Sequence, residues 1–264
     1  MLLTGKIALV TGAARGIGRV AAQVLAAQGA DLALADVLPE VEETAARVRA
    51  RGRRAVAAAF DVADPVQVRA GVAQLRSALG DCDILVNNAG IVANIAPLTK
   101  MSFERWQFEI GVNLTGAFNM IQAVIGPMIT RGWGRIIVIS SGAARGGLHH
   151  QCAYAASKAG LLGLVHTVTL EHARHGITCN AILPGLIGTE NVQMMPSEIR
   201  DFAIANTPAR RVGRMEEVAH LIAFLASDHA GYITGAEIDI DGGMRLNTGT
   251  LASRKEAQAR RGVP

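Results

Sequence analysis

An α/β fold built on a doubly wound parallel sheet of about seven strands is predicted by three observations. Apolar strand-like runs alternate with helix-like stretches along almost the whole 264-residue chain. Those runs are apolar throughout instead of alternating, as expected for a parallel sheet covered on both faces. A glycine-rich turn, Thr11-Gly12-Ala13-Ala14-Arg15-Gly16-Ile17-Gly18, joins the first strand to the first helix. Right-handed crossovers then place helices on both sides of the sheet.

Taken in order, residues 6–11 form a continuous apolar strand, and the helix after the glycine turn covers roughly 16–29, with Gly29 as its stop. Strand 32–36 follows, then a helix near 39–51, strand 55–62, and a helix near 65–79 opened by Asp64-Pro65. Strand 83–88 leads to a long helical stretch from about 102 to 131 that carries Gly111 and Gly116 inside it. Strand 134–140, a helix over about 152–174 and strand 177–183 come next. A Pro-Gly loop, a polar region at 188–212 expected to be mobile, helix 215–226 and strand 236–240 complete the pattern. No linker, repeat or low-complexity tract interrupts it. Residues 1–246 read as one domain and 247–264 as a polar tail.

Composition narrows the function. With 50% hydrophobic residues the chain can bury a full core. Its apolar runs read as too short and too interrupted to span a bilayer, so no membrane partner is expected. The N-terminus enters a strand and loop at once, with no room for a signal peptide. Cys82, Cys152 and Cys179 are widely spaced and show no metal-ligand pattern, which fits a reducing, cytoplasmic setting without a metal. The net charge of +4 is modest. The cluster Arg47, Arg49, Arg51, Arg53 and Arg54 ends a predicted helix, where cations complement the dipole, and no aromatics interleave it. It reads as a solvated helix end, and no nucleic-acid partner is expected.

The glycine turn carries the first functional signal. Gly12, Gly16 and Gly18 let the backbone approach a diphosphate, and the N–H groups of the helix start supply donors and a positive dipole. Asp36 closes the second strand 18 residues beyond Gly18. A carboxylate there accepts hydrogen bonds from adenosine ribose hydroxyls and repels a 2′-phosphate, which predicts NAD over NADP. Arg15 pulls the other way, since a guanidinium in this loop can reach a phosphate. Asp61, before Val62, reads either as a contact to the adenine amino group or as a turn or capping Asp.

The second signal is Tyr154 with Lys158, four residues apart and so on one face of a helix. A phenol has an unperturbed pKa of about 10, and an ammonium one turn away favours the phenolate. The pair reads as a tuned proton carrier or, taken alone, as a solvated tyrosine beside a surface lysine.

With both signals in place the chain resembles the short-chain dehydrogenase/reductase family, from Lys6 to about Met244, in its 3-oxoacyl-reductase-like and secondary-alcohol dehydrogenase members. The resemblance rests on TGAARGIG at 11–18, Asp61-Val62, Asn87-Asn88-Ala89-Gly90, Asn113, Ser141, Tyr154 with Lys158, Pro184-Gly185 with Thr189, and Asp241-Gly242-Gly243, all in the family's order. It implies a Rossmann sheet and a catalytic set of Asn113, Ser141, Tyr154 and Lys158. It implies that Gly12, Arg15, Gly16, Ile17, Gly18, Asp36, Asp61, Val62, Asn88, Ala89, Gly90, Pro184, Gly185, Ile187 and Thr189 border the cofactor, with Tyr154 and Lys158. The implied function is interconversion of a secondary alcohol and a ketone, with a homotetramer as the expected assembly. An NADPH-using 3-oxoacyl-[acyl-carrier-protein] reductase is the alternative. A non-catalytic dinucleotide sensor is a third reading, and such proteins lack the tyrosine or lysine that this chain has.

Strand alternation points the side chains of Ser140 and Ser141 opposite ways, and the family's spacing of thirteen residues to the tyrosine implies Ser141. The family's Asn113 kinks its helix to hold a water in a proton relay. Substrate contacts are expected from residues 91–98, from the stretch between Ser141 and Tyr154, and from 188–212, with His149 and Gln151 as candidates.

Overall fold

The computed structural model describes residues 1–246; the predicted polar tail lies outside them. The chain runs β1 (Ile7–Thr11), α1 (Gly16–Ala27), β2 (Asp31–Asp36), α2 (Val41–Arg49), β3 (Ala55–Ala59), α3 (Pro65–Leu79) and β4 (Ile84–Asn87). It continues through α4 (Phe103–Ile110), α5 (Gly116–Arg131), β5 (Gly134–Ile139), α6 (Ala143–Gly146), α7 (Cys152–His172) and β6 (Ile177–Pro184). Last come α8 (Glu190–Gln193), α9 (Ser197–Asn206), α10 (Met215–Leu225) and β7 (Glu237–Ile240).

The strands form one seven-stranded sheet in the order β3-β2-β1-β4-β5-β6-β7. Every pairing is parallel. The chain therefore leaves β1 toward one edge, returns at β4 and proceeds to the other. In an open parallel sheet the ligand cleft lies beyond the carboxyl ends of the strands where the direction reverses, here between β1 and β4. Both faces of the sheet are covered. One core gathers Ala21, Leu25, Leu32, Leu34, Val86 and Ile222 under α1 and α10. The other gathers Leu85, Met120, Val124, Ile136, Leu161 and Val165 under α5 and α7.

Local chemistry places the element ends. Asp64 accepts from the N–H groups of Val66 and Gln67 at 2.8 and 3.2 Å and caps α3, with Pro65 at its first position. Gly132 ends α5 in the left-handed region at φ 67°.

The polar region 188–212 carries two short helices, α8 and α9. Two expectations need correction. The predicted helix 102–131 is interrupted by a π turn at Gly111–Thr115, which separates α4 from α5. The stretch Phe103–Arg131 is long and apolar enough, by length and composition, to cross a membrane. Counting uninterrupted apolar runs had missed it, because its few polar residues are scattered. Its second half packs on α3, β4 and β5 and buries Met120, Ile121, Val124 and Met128, which makes it a core helix.

Candidate active site

The glycine loop leaves β1 at the reversal point. Thr11 organises it: its hydroxyl accepts from the N–H groups of Asn88 and Ala89, both at 3.0 Å. Asn88 returns the contact, its Nδ2 donating to the carbonyls of Thr11 and Gly12 at 2.9 and 3.1 Å. No side chain fits inside this weave. A Cβ on Gly18 would lie 2.1 Å from the Gly12 carbonyl oxygen, and one on Gly12 would lie 2.9 Å from Ala89 Cα. Gly12 and Gly16 also hold positive φ, at 64° and 57°. The first turn of α1 has no side-chain cap, and Arg15 at its N-cap is exposed. Uncapped amides at a helix start, beside a glycine cradle, suit a diphosphate. The residues present therefore fit a dinucleotide.

Asp36 lies across the top of β2. Its Oδ2 accepts from Ala14 N–H at 2.9 Å and its Oδ1 from Leu38 N–H at 3.1 Å, so the carboxylate is fixed beside the glycine loop. Asp61 Oδ1 accepts from Ala63 N–H at 2.8 Å, which is the turn role weighed against adenine binding. Val62 is buried and packs under Gly116, where a Cβ would sit 2.6 Å from Val62 Cγ2.

The opposite side of the cleft belongs to β5, β6 and α7. Ser141 follows β5, and its Oγ accepts from Ala143 N–H at 3.2 Å. The next residue, Gly142, donates its N–H to the Pro184 carbonyl at 3.2 Å, which binds the Ser141 turn to the end of β6. Gly185 closes against Asp241, where a Cβ would be 2.8 Å from Asp241 Cα. Thr189, at the N-cap of α8, and Glu190 come back over Gly16: a Cβ there would stand 3.8 Å from Thr189 Cγ2 and 3.6 Å from Glu190 Oε2. Ile187 is buried, and its carbonyl accepts from Thr189 N–H at 2.7 Å. The cofactor residues predicted from β1 and from β6 thus meet over one cleft.

Tyr154 and Lys158 share a face of α7. Burial pushes the Tyr154 phenol above its ordinary value; a hydrogen bond with Ser141 works against that, and the charge of Glu109 adds to it. Lys158 is buried, and burial lowers its ammonium to about 8. Its Nζ donates to the Ile139 carbonyl at 2.8 Å and stands 5.7 Å from the centre of the Tyr154 ring. The expectation that Lys158 draws the phenol pKa down is therefore not met by this arrangement. The ammonium is turned to the end of β5, and burial dominates at the tyrosine.

Asn113 lies in the π turn and is buried. Its Oδ1 accepts from Ile91 N–H at 2.7 Å, and its Nδ2 donates to the Ile91 carbonyl at 2.9 Å and to Ser157 Oγ at 3.1 Å. Ser157 Oγ donates in turn to the Tyr154 carbonyl at 2.7 Å. A Cβ on Gly90 would fall 3.2 Å from Lys158 Nζ and 3.3 Å from Asn113 Oδ1, so these groups converge beneath Gly90.

Sequence reasoning missed three residues. Ser140, set aside in favour of Ser141, donates to the Lys158 carbonyl at 2.8 Å and anchors α7. Ser157 links Asn113 to α7, and a polar residue beside Lys158 on a buried helix was its only signal. Glu109 is fully buried; a glutamate four residues before Asn113 shares its helical face, which was a readable clue. The substrate candidates are less gathered. His149 and His150 are exposed and stack at 3.7 Å, and Gln151 sits at the start of α7. No side-chain hydrogen bond joins His149 or Gln151 to Ser141 or Tyr154 among the described residues.

The comparisons agree with this geometry. A family model described as Enoyl-(Acyl carrier protein) reductase matches residues 12–245. The chain is 41% identical over 245 residues to nodulation protein G of Azospirillum brasilense, covering 92% of this chain and 99% of that one. It is 39% identical over 248 residues to the 3-oxoacyl-[acyl-carrier-protein] reductase of Escherichia coli (strain K12), covering 93% and 100%. The crystal structure of levodione reductase superposes with a TM-score of 0.89 at 32% identity, covering 93% of this chain and 99% of that one. The chain belongs to the short-chain dehydrogenase/reductase family, as an oxidoreductase that acts on CH–OH groups with NAD(P).

Proposed function

We propose that this protein is an NAD(H)-dependent enzyme that interconverts a secondary alcohol and a ketone, with residues 1–246 as its dehydrogenase domain. The observation that carries the reading is the convergence of Ser141, Tyr154 and Lys158 on the cleft that the glycine loop borders. The dinucleotide, when bound, supplies the hydride acceptor or donor. The uncapped start of α1 and the Gly12–Gly18 cradle hold its diphosphate, with Pro184, Gly185, Ile187 and Thr189 near its other end.

Ser141 and Tyr154 hydrogen-bond the substrate oxygen. In reduction the Tyr154 phenol donates its proton to that oxygen; in oxidation the phenolate takes the hydroxyl proton. Lys158 holds the nicotinamide ribose through its ammonium. Asn113 and Ser157 lock the backbone behind the pair. Asp36 favours NAD, because its fixed carboxylate meets a ribose hydroxyl well and a 2′-phosphate badly. The homotetramer remains the assembly that family resemblance implies.

A second reading, an NADPH-using 3-oxoacyl-[acyl-carrier-protein] reductase, is supported by the 39% identity to that enzyme and by exposed Arg15. A panel of secondary alcohols, ketones and 3-oxoacyl thioesters, followed by reduced-cofactor absorbance with NAD(H) and NADP(H), separates the two. Turnover of simple alcohols with NAD supports the first; thioester reduction with NADPH alone supports the second. Tyr154→Phe is expected to cut turnover by about 10²–10⁴-fold while cofactor binding persists.

A further inference from the structure

The start of α8 overlies the first turn of α1. A Cβ on Gly16 would stand 3.6 Å from Glu190 Oε2 and 3.8 Å from Thr189 Cγ2. Gly16 holds a positive φ of 57° and has no side chain of its own to fill that space. Helix α1 carries no acidic residue in its first turn and no side-chain cap on its free amides. Glu190 brings a carboxylate from a distant segment to that positive end.

Nothing else in the structure accounts for this placement. Glu190 is exposed, and among the described residues its carboxylate makes no hydrogen bond or ion pair. Arg15, the neighbour of Gly16, is exposed too and forms no ion pair with it. The Asp36 carboxylate is already engaged by the N–H groups of Ala14 and Leu38. Helix α8 is fastened only at its base, where Gly188 N–H donates to the Gly213 carbonyl and Gly213 N–H to the Leu186 carbonyl, both at 2.9 Å. Beyond that base, among the described residues, the hydrogen bonds of residues 190–196 stay within residues 189–200. Glu190 can therefore leave Gly16 without breaking a hydrogen bond to the rest of the fold.

A diphosphate on the α1 amides brings negative charge to the place where Glu190 stands. We propose that Glu190 sets the affinity of the cofactor site: its carboxylate stands in for a phosphate at the start of α1 and is displaced when a diphosphate takes those amides. The displacement weakens binding, so the site holds a dinucleotide less tightly than the glycine cradle alone would. The inference rests on the functional reading for the position of the diphosphate, and on nothing about the substrate.

The test is a binding measurement without turnover. NADH fluorescence reports occupancy, and displacement by ADP or by adenosine, which lacks the diphosphate, reports each part of the nucleotide. Glu190→Gln keeps the size and removes the charge. It is expected to tighten NADH and ADP by up to about fivefold at low salt and to leave adenosine unchanged. The gain should vanish at about 0.5 M salt, where exposed charges are screened. Tightening that persists at high salt would mean a new hydrogen bond in place of a lost repulsion, and would overturn the proposal. So would an unchanged or weaker affinity for ADP, or equal tightening of adenosine. If ADP binds more tightly than adenosine in both proteins but the substitution changes neither, the proposal falls and the placement of the diphosphate stands. If ADP binds Glu190→Gln no more tightly than adenosine does, the placement itself is wrong.

Discussion

The two sides of the cleft are built by different means. On the glycine-loop side, backbone is held at close quarters: Gly18 against Gly12, the Asn88 side chain on the Thr11 carbonyl, and the Asp36 carboxylate on the N–H groups of Ala14 and Leu38. There a single methyl group is too many. By contrast Ile95, Leu148, Met194, Ile199 and Phe202, all in segments expected to meet substrate, stand exposed. A dinucleotide presents the same diphosphate every time, so a rigid cradle serves it, whereas exposed apolar side chains can repack around different substrates. Tyr154 and Lys158 lie between the two regimes, both driven by burial toward their neutral forms.

Substitutions can break this contrast. The largest effect is expected at Gly18. With a carbonyl oxygen 2.1 Å from the new Cβ, Gly18→Ala must displace the loop. Overpacking of this kind costs about 1–3 kcal/mol, and here at least the upper figure. Denaturant unfolding should show that loss together with weakened cofactor binding; retention of both would mean the loop is softer than described.

Lys158→Met tests the border. The ammonium falls from 10.5 to about 8 by burial, so the folded state holds its proton less tightly than the unfolded chain. That mismatch costs about 3 kcal/mol below pH 8. Between 8 and 10.5 the unfolded chain binds the extra proton, so stability of the parent rises with pH across this window. Removing the amine also strands the Ile139 carbonyl, at about 1 kcal/mol. Lys158→Met is thus expected to gain about 2 kcal/mol of stability at neutral pH, a gain that fades by pH 10.5, while turnover collapses. Unfolding curves across that pH range that show no such fade would mean that Lys158 is not held as an unfavourably buried cation.

A smaller effect is expected at Asp36. Asp36→Ala should narrow the NAD to NADP ratio of kcat/KM by about tenfold, equivalent to about 1.4 kcal/mol. An unchanged ratio would place the adenosine ribose elsewhere. The smallest stability effect is expected in the proposed substrate segments, where Phe202 is 73% exposed. Phe202→Ser should change stability by less than about 0.5 kcal/mol. It should move KM for the substrate and leave cofactor KM alone. A clear fall in thermal stability would show that the rim is packed as tightly as the cradle.

Much of the cofactor side was readable in advance. Gly12, Gly16, Gly18 and Asp36 fall at fixed offsets along one strand-turn-helix-strand unit, and local spacing places them. The helix bounds Pro65–Leu79 were legible because Asp64 and Pro65 are local signals. The π turn was not, because Gly111 marks a weak point without saying how the hydrogen-bond ladder shifts there. Ser140 was set aside because a strand's alternation says which way a side chain points, but not that the Lys158 carbonyl waits on that side.

The sequence by itself determined the sheet, the family and the residue types that do chemistry, since these depend on periodicity and on spacings within one unit. Only the tertiary structure decided the electrical state of the site. It buried Lys158 against the Ile139 carbonyl and buried Glu109 of α4 with one carboxylate oxygen unpartnered. Desolvation depends on neighbours that the fold brings together, as it brings the Ile139 carbonyl to Lys158 across 19 residues of chain, and no local pattern records them.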